Sequence, residues 1–480
     1  MKPNILFLVV DGLRADRCYG EKKSSITPNI DKLIENGTYF NQTISSGQST
    51  IPSVSSIFTS LHPFESLVPD GNLFKISPKI ITYVDKLRDE GYKTFAIVQD
   101  TLTHLGFKNI FGDNLVTYDH VAKKLWSGLG NEVLENLDFI KKHEPWFCYM
   151  QFYDLNLLIY PEQTRLEKGP EELKNVKYGK NLYERIISAQ DKWIGEIIKQ
   201  INLENTLIIL TSDHGLESGA YDDELQKFND QQRIRKNISP GNALKIGLKI
   251  GLKFKTVIPF RKILANKYKD HILTTKEKKQ KPELEKLENQ NLSPYKKRLM
   301  QSSIWYISHI YDDRVHVPLV FSGYASTPGK IVNKLTRSID IFPTIFDICN
   351  LSNFTNRRGK SLRPLMLDEN FDEISAFIES TVNVIKSADS NVIGIRTFEF
   401  KYFRNRNNPL NDIHLYDLQN DPLEENNIYL KHPEIIEKFE NELIEIDKNK
   451  KFLMQEFTNE IELEEAEDIE KKLKDAGYIN

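Results

Sequence analysis

The chain has 480 residues, of which 39% are hydrophobic and 28% charged, enough for one large α/β domain and a smaller one with well-buried cores. Its 65 basic and 68 acidic residues leave a net charge of -3, which excludes a global attraction to nucleic acid or to an anionic membrane. Three scattered cysteines, Cys18, Cys148 and Cys349, exclude a disulfide framework or a thiolate metal site and are expected as plain thiols.

The first apolar run, Ile5–Val10, is far shorter than the about 18 residues that span a bilayer, follows a single lysine, and ends in Asp11. It reads as a buried strand rather than a leader, and the protein is expected in the cytoplasm. Similar short runs recur at Phe95–Val98, Phe147–Phe152, Leu207–Thr211 and Val317–Phe321. Continuous apolar runs of this length belong to central strands covered on both faces. Helical patterns at Pro28–Asn36, Ile80–Glu90, Leu182–Ile201 and Ile339–Cys349 alternate with them. The alternation predicts an α/β fold, a doubly wound sheet flanked by helices, over residues 1–370. After Glu373 the stretches "NVIGIRTFEFKYFRN" and "HLYDLQNDPLEENNI" predict a smaller α+β domain over 371–480, with a helical tail from His432.

An insertion at about 225–300 interrupts the first domain. Between Arg233 and Gln280 it carries 14 Lys/Arg against 2 Asp/Glu. Lys245, Lys249 and Lys253 recur among leucines and isoleucines, the pattern of a basic amphipathic helix. Residues 233–280 could dock on an anionic membrane surface or a polyanionic substrate; packing their apolar side on the main domain is the alternative.

In a doubly wound sheet ligands sit beyond the carboxyl ends of the strands, so the residues just after each run are the ones to search. Asp11 follows the first, where a carboxylate is costly unless a cation or donors partner it, although an Asp there is more often a helix cap. Asp213 and His214 follow Leu207–Thr211 in "TSDHG", where a tight turn can aim a carboxylate and an imidazole at one cation. The stretch "ISSGQSTIPSVSSIFTSLHP" (Ile44–Pro63) holds nine serines and threonines. Pro52 fits the first turn of a helix with Thr50 just outside it, where free N–H groups and the helix dipole favour an attacking alkoxide. Two carboxylates, an imidazole and a hydroxyl suit one divalent ion, Zn²⁺, Mn²⁺, Mg²⁺ or Ca²⁺, and suit displacement at a tetrahedral anion, phosphate or sulfate.

These segments together resemble the sulfatase family of the alkaline phosphatase superfamily. "PNILFLVVDGLRADRCYG", "STIPSVSSIFTSLHP", "TLIILTSDHG", "HIYDDRVHVPLVF", "SIDIFPTIFDICNL", "GKSLRPL" and "LYDLQNDPLEENNI" follow the family's order over roughly 450 residues. The resemblance implies an alkaline-phosphatase-like fold, a metal held by Asp11, Thr50, Asp213 and His214, and Thr50 as nucleophile. It places His309 near a substrate-contacting position. Asn156, in "YDLNLLIYP", stands where relatives carry a histidine facing substrate or leaving group, and an amide can hydrogen-bond there but cannot act as an acid.

Two more departures bear on the reaction. Relatives that cleave sulfate esters convert a Cys or Ser to formylglycine in a Cys/Ser-x-Pro-x-Arg motif. Here the segment is Thr50-Ile51-Pro52-Ser53-Val54, and a threonine, with a methyl on its β-carbon, cannot be converted. Gly12 stands where many sulfatases have a second aspartate. The resemblance with these departures implies a hydrolase or transferase of phosphate or sulfate esters working through a covalent Thr intermediate, with phosphodiester, phosphonate or phosphoglycerol-type substrates preferred. The expected substrate is an anionic small-molecule, glycan or lipid-linked ester, with no nucleic-acid partner. A true sulfuric ester hydrolase is the alternative, and a degenerate member that binds polyanion or membrane is a further one.

Overall fold

Strand β1 (Asn4–Val10) is buried at all seven positions, as its apolar run from Ile5 to Val10 requires. Its two faces feed different layers. Ile5, Phe7 and Val9 pack towards helices α2 (Thr50–Thr59), α3 (Tyr83–Asp89) and α6 (Ile341–Ile348); Leu6, Leu8 and Val10 pack towards α1 (Pro28–Glu35), α4 (Leu129–Ile140) and α5 (Leu182–Lys199). This is the layered arrangement that the strand-helix alternation predicts. Each fully buried Leu, Ile or Phe here contributes about 1.5–3 kcal/mol of transfer free energy, most of it offset by lost chain entropy.

The computed structural model describes residues 2–70, 73–158, 169–222, 224–229, 282, 285–304, 310–380 and 392–446. The other seven strands of the main sheet are β2 (Gly37–Ile44), β5 (Lys93–Gln99), β6 (Leu115–Tyr118), β7 (Trp146–Phe152), β8 (Thr206–Thr211), β9 (His316–Gly323) and β10 (Lys330–Arg337), after a short hairpin of β3 (Leu67–Asp70) and β4 (Leu73–Ile76). Their spatial order is β10-β2-β9-β8-β1-β7-β5-β6. Only β9 runs against the rest, being antiparallel to both β8 and β2. The carboxyl ends of β1, β2, β7 and β8 therefore share one edge of the sheet, and the amino end of β9 joins them there.

A second, antiparallel sheet of β11 (Ala376–Glu379), β12 (Val392–Arg396), β13 (Phe400–Asn405) and β14 (His414–Asp417) follows in the order β11-β12-β13-β14. It begins within the region expected for the smaller domain, and residues 433–446 are helical after it. Lys401 on β13, fully buried, pairs with Asp312 Oδ1 at 2.7 Å and Glu424 Oε1 at 3.0 Å, while Arg396 on β12 pairs with Asp312 Oδ2 at 3.3 Å. These bonds tie the small sheet to the turn that leads into β9.

By its contacts the chain divides into two compact units, Met1–Gly219 with Ser308–Asn480, and Ala220–Ile307. In the second unit, helix Pro294–Ile304 brings Leu299 and Met300 against Tyr221, Leu225 and Leu287. The basic segment 233–280 lies outside the described residues, as does His309. All three cysteines are buried free thiols. No described helix is long and apolar enough to cross a membrane.

Candidate active site

Alternation along the strands decides which side chains meet. On β1 the residues facing α2 are Ile5, Phe7 and Val9, so Asp11, two positions on, faces the same way. Val9 is in register with Gln151 on β7 and with Thr211 on β8. Gln151 follows Phe147 and Tyr149 on that face, and Asp213 follows Thr211. One layer of the sheet thus delivers Asp11, Gln151 and Asp213 to a single point at its edge. The loop after β2 brings the fourth component: Ser45 donates to the Asp213 carbonyl, Ser53 donates to Gly47 O at 3.0 Å, and α2 starts at Thr50.

Helix α2 begins two residues earlier than Pro52 implies. Thr50 is its first residue rather than an outside neighbour, with Ser49 as the cap. Pro52 is tolerated at the third position because the first four N–H groups of a helix have no partner within it. The Thr50 hydroxyl still sits at the positive end of a ten-residue helix. Val54, where the resemblance implies an arginine, is an uncharged side chain buried among the core residues.

Thr50 Oγ1 is 3.2 Å from Asp11 Oδ2 and 3.4 Å from His214 Nε2. His214 Nε2 is in turn 3.8 Å from Asp11 Oδ1 and 3.7 Å from Asp213 Oδ2. His214 Nδ1 lies 2.9 Å from the Gly215 carbonyl. That bond puts the ring proton on Nδ1 and presents the Nε2 lone pair to the other three groups. Asp11 and Asp213 are both fully buried. Burial, and then the charge of Asp213 opposite, push the Asp11 carboxyl well above the usual carboxylate range, against the pull of amide donors from Asn156 and Gln151.

Asn156 Nδ2 donates to Asp11 Oδ1 at 2.7 Å. The side chain that stands in place of a histidine facing the leaving group is therefore engaged with the carboxylate. Gln151 is the participant that sequence reasoning missed, although a lone glutamine near the end of the wholly buried strand "WFCYMQF" is a signal that could have found it. Its Nε2 reaches both Asp11 Oδ2, at 2.9 Å, and Asp213 Oδ2, at 3.1 Å.

Gly12 has a local reason. Its φ is +83°, and a Cβ there would lie 2.7 Å from Leu216 Cγ and Cδ1. A second aspartate at this position would meet both backbone strain and the Leu216 side chain. The Gly12 N–H instead points at Asp213 Oδ1, 3.4 Å away.

The donor set fits a divalent cation. Asp11, Asp213 and His214 each offer a ligand atom, all within 4.8 Å of one another. Two buried like charges side by side, with a ring nitrogen and a hydroxyl at the same point, are costly unless a cation joins them. Oxygen and imidazole ligands together suit Mn²⁺, Zn²⁺, Mg²⁺ or Ca²⁺, and nothing in the set selects among them.

Two family models match the chain in succession: Sulfatase over residues 3–241, and N-sulphoglucosamine sulphohydrolase, C-terminal, over residues 304–449. Arylsulfatase K of Gallus gallus is 27% identical over 152 residues, 29% of this chain and 27% of that protein. The chain matches only about a third or less of the length of its curated relatives. Among solved structures, one in complex with its substrate D-glucosamine-2-N,6-O-disulfate aligns over 94% of this chain and 98% of its own at a TM-score of 0.62 and 17% identity. The phosphonate monoester hydrolase of Agrobacterium radiobacter aligns over 94% and 96%, at 0.60 and 17%. At these identities the structures establish the fold, an alkaline-phosphatase-like sulfatase architecture with a smaller carboxyl-terminal antiparallel sheet.

Proposed function

We propose that this chain, which matches the Sulfatase and N-sulphoglucosamine sulphohydrolase C-terminal models in succession, is a cation-dependent esterase that works through a covalent Thr50 intermediate and prefers phosphodiester, phosphonate or phosphoglycerol-type esters. The observation that carries this reading is the Thr50 hydroxyl, at the start of α2 and within 3.4 Å of both Asp11 and His214. Asp11, Asp213, His214 and Thr50 would hold one divalent cation, which when bound would acidify the Thr50 hydroxyl and neutralise charge on the ester oxygens.

The rest falls to the chain's own residues. Thr50 Oγ1 attacks the phosphorus, the ester P–O bond breaks, and the leaving alkoxide departs opposite the attack. The Thr50 proton has an acceptor in reach, Asp11 Oδ2, from which it passes to the leaving alkoxide. Water, or an acceptor alcohol in a transferase, then displaces Thr50 from the phosphoryl group and restores the hydroxyl. Asn156 donates to Asp11 and takes part by holding that carboxylate rather than by protonating the leaving group. The unconvertible Thr50 supports phospho-chemistry over the formylglycine route, and the fold shared with a phosphonate monoester hydrolase is compatible with it.

A true sulfuric ester hydrolase is the second reading, supported by the names of both matched models and by the similar structure that binds a sulfated glucosamine. Purified protein assayed in parallel on aryl sulfate, phosphate monoester, phosphodiester and phosphonate separates the two. The first reading expects metal-stimulated turnover of the phosphodiester or phosphonate that Thr50→Ala reduces by orders of magnitude. Turnover unchanged in that variant contradicts the role of Thr50, and turnover confined to sulfate selects the second reading.

A further inference from the structure

We propose that Gln151 is a positioning residue that holds both metal-binding carboxylates through the two hydrogens of one amide. The inference rests on the cation site proposed above and goes beyond its ligands to what keeps them in place. Gln151 is fully buried on β7, next to β1 and in register with Val9. From there Nε2 meets Asp11 Oδ2 at 2.9 Å and Asp213 Oδ2 at 3.1 Å. An NH₂ group has two hydrogens, and here each has one carboxylate oxygen to receive it.

The direction of the amide is set from behind. Tyr149, two residues earlier on the same face, donates its hydroxyl to Gln151 Oε1 at 2.7 Å, and the Tyr118 hydroxyl donates to the Gln151 backbone carbonyl at 2.7 Å. Turning the amide over would aim Oε1 at two carboxylates and lose both of the bonds it donates to them. With Asn156 holding the other oxygen of Asp11 at 2.7 Å, neutral amides place both carboxylates.

This also accounts for how the site manages with Gly12. The positive φ and the Leu216 side chain at that position disfavour a third carboxylate beside Asp11 and Asp213, whereas β7 supplies a neutral donor that touches both. The amide lessens the repulsion between the two anions without competing for the cation as a ligand would. Groups that orient metal ligands in this way typically change metal affinity about 10–100-fold when lost.

The test uses the full-length protein stripped of metal, titrated with Mn²⁺ by electron paramagnetic resonance and then loaded with Co²⁺ for its visible spectrum. Gln151→Met, of similar length but with no N–H, is expected to bind Mn²⁺ about 10–100-fold more weakly and to shift the Co²⁺ bands. Tyr149→Phe, which keeps the glutamine and removes the hydroxyl that orients it, is expected to weaken Mn²⁺ in the same direction by a smaller factor. A folded Gln151→Met protein with wild-type Mn²⁺ affinity and an unchanged Co²⁺ spectrum overturns the inference. If Gln151→Met does not fold, Tyr149→Phe decides, and unchanged or tighter binding there overturns it, tighter binding meaning that the amide turns its oxygen to the cation. No Mn²⁺ uptake by the wild-type protein overturns the cation site itself, an outcome distinct from normal uptake that Gln151 does not influence.

Discussion

Buried carboxylates meet in two places in this molecule, and their partners differ. Asp312 and Glu424 share the Lys401 ammonium, and Arg396 adds a second cation to Asp312. Despite burial, Lys401 and Arg396 hold the Asp312 carboxyl far below the usual range. Asp11 and Asp213 have an imidazole, a hydroxyl and two neutral amides around them, and burial with the neighbouring charge pushes Asp11 up. The first cluster is complete in itself and fastens the small sheet to the start of β9. The second has the chemistry of a cation site beyond the carboxyl ends of β1, β7 and β8. Removing one group from each should therefore break different things.

The largest expected effect is on turnover. Thr50→Ala should lower the rate by about 10³-fold or more, as loss of a covalent nucleophile does; steady-state kinetics on an aryl phosphodiester would measure it. Lys401→Met should leave Mn²⁺ affinity unchanged and cost about 3–5 kcal/mol in urea unfolding, because it removes the cation that two buried carboxylates share and leaves Asp312 with Arg396 alone. Asp213→Asn should do the reverse, abolishing Mn²⁺ uptake while leaving the melting temperature of the metal-free protein unchanged or raised, because it removes half of a like-charge pair. A fall of several degrees in that melting temperature would contradict this description of the site. Gly12→Ala should cost about 1–3 kcal/mol, from the left-handed backbone and the Leu216 contact, and should not improve cation binding.

The smallest expected effect is on pH dependence, and its sign follows from Asp11. A carboxyl whose pKa is raised on folding favours the folded state while protonated. In the metal-free protein that contribution is present at low pH and is lost as pH rises from the usual carboxylate range through the raised value. A cation needs the ionised form, so the rise in melting temperature on adding Mn²⁺ should grow over the same window. Differential scanning fluorimetry with and without Mn²⁺ across that range would show it, and a constant or shrinking gain would contradict it.

The central strands were legible in the sequence because both of their faces are covered, which leaves few polar positions to interrupt the run; β1, β7 and β8 match the apolar runs to within a residue. Strands β2, "GTYFNQTI", and β10, "KIVNKLTR", were not singled out, because they lie at or near the edge of the sheet and mix polar with apolar residues. Yet β2 is the strand that delivers Thr50. Asp11, Asp213 and His214 could be picked out because each directly follows an apolar run. Gln151 was hidden inside such a run, where one polar residue is easily passed over. Pro52 does fall in the first turn of α2, but at its third position rather than its first, because any of the opening positions suits a residue without an N–H, and so Thr50 lies inside the helix.

The most direct test of the account is a titration of the metal-free protein with Mn²⁺, followed by electron paramagnetic resonance, in wild type, Asp213→Asn and Lys401→Met. It predicts one equivalent bound by wild type and by Lys401→Met and none by Asp213→Asn. Absence of uptake by wild type, or uptake that survives intact in Asp213→Asn, would contradict it.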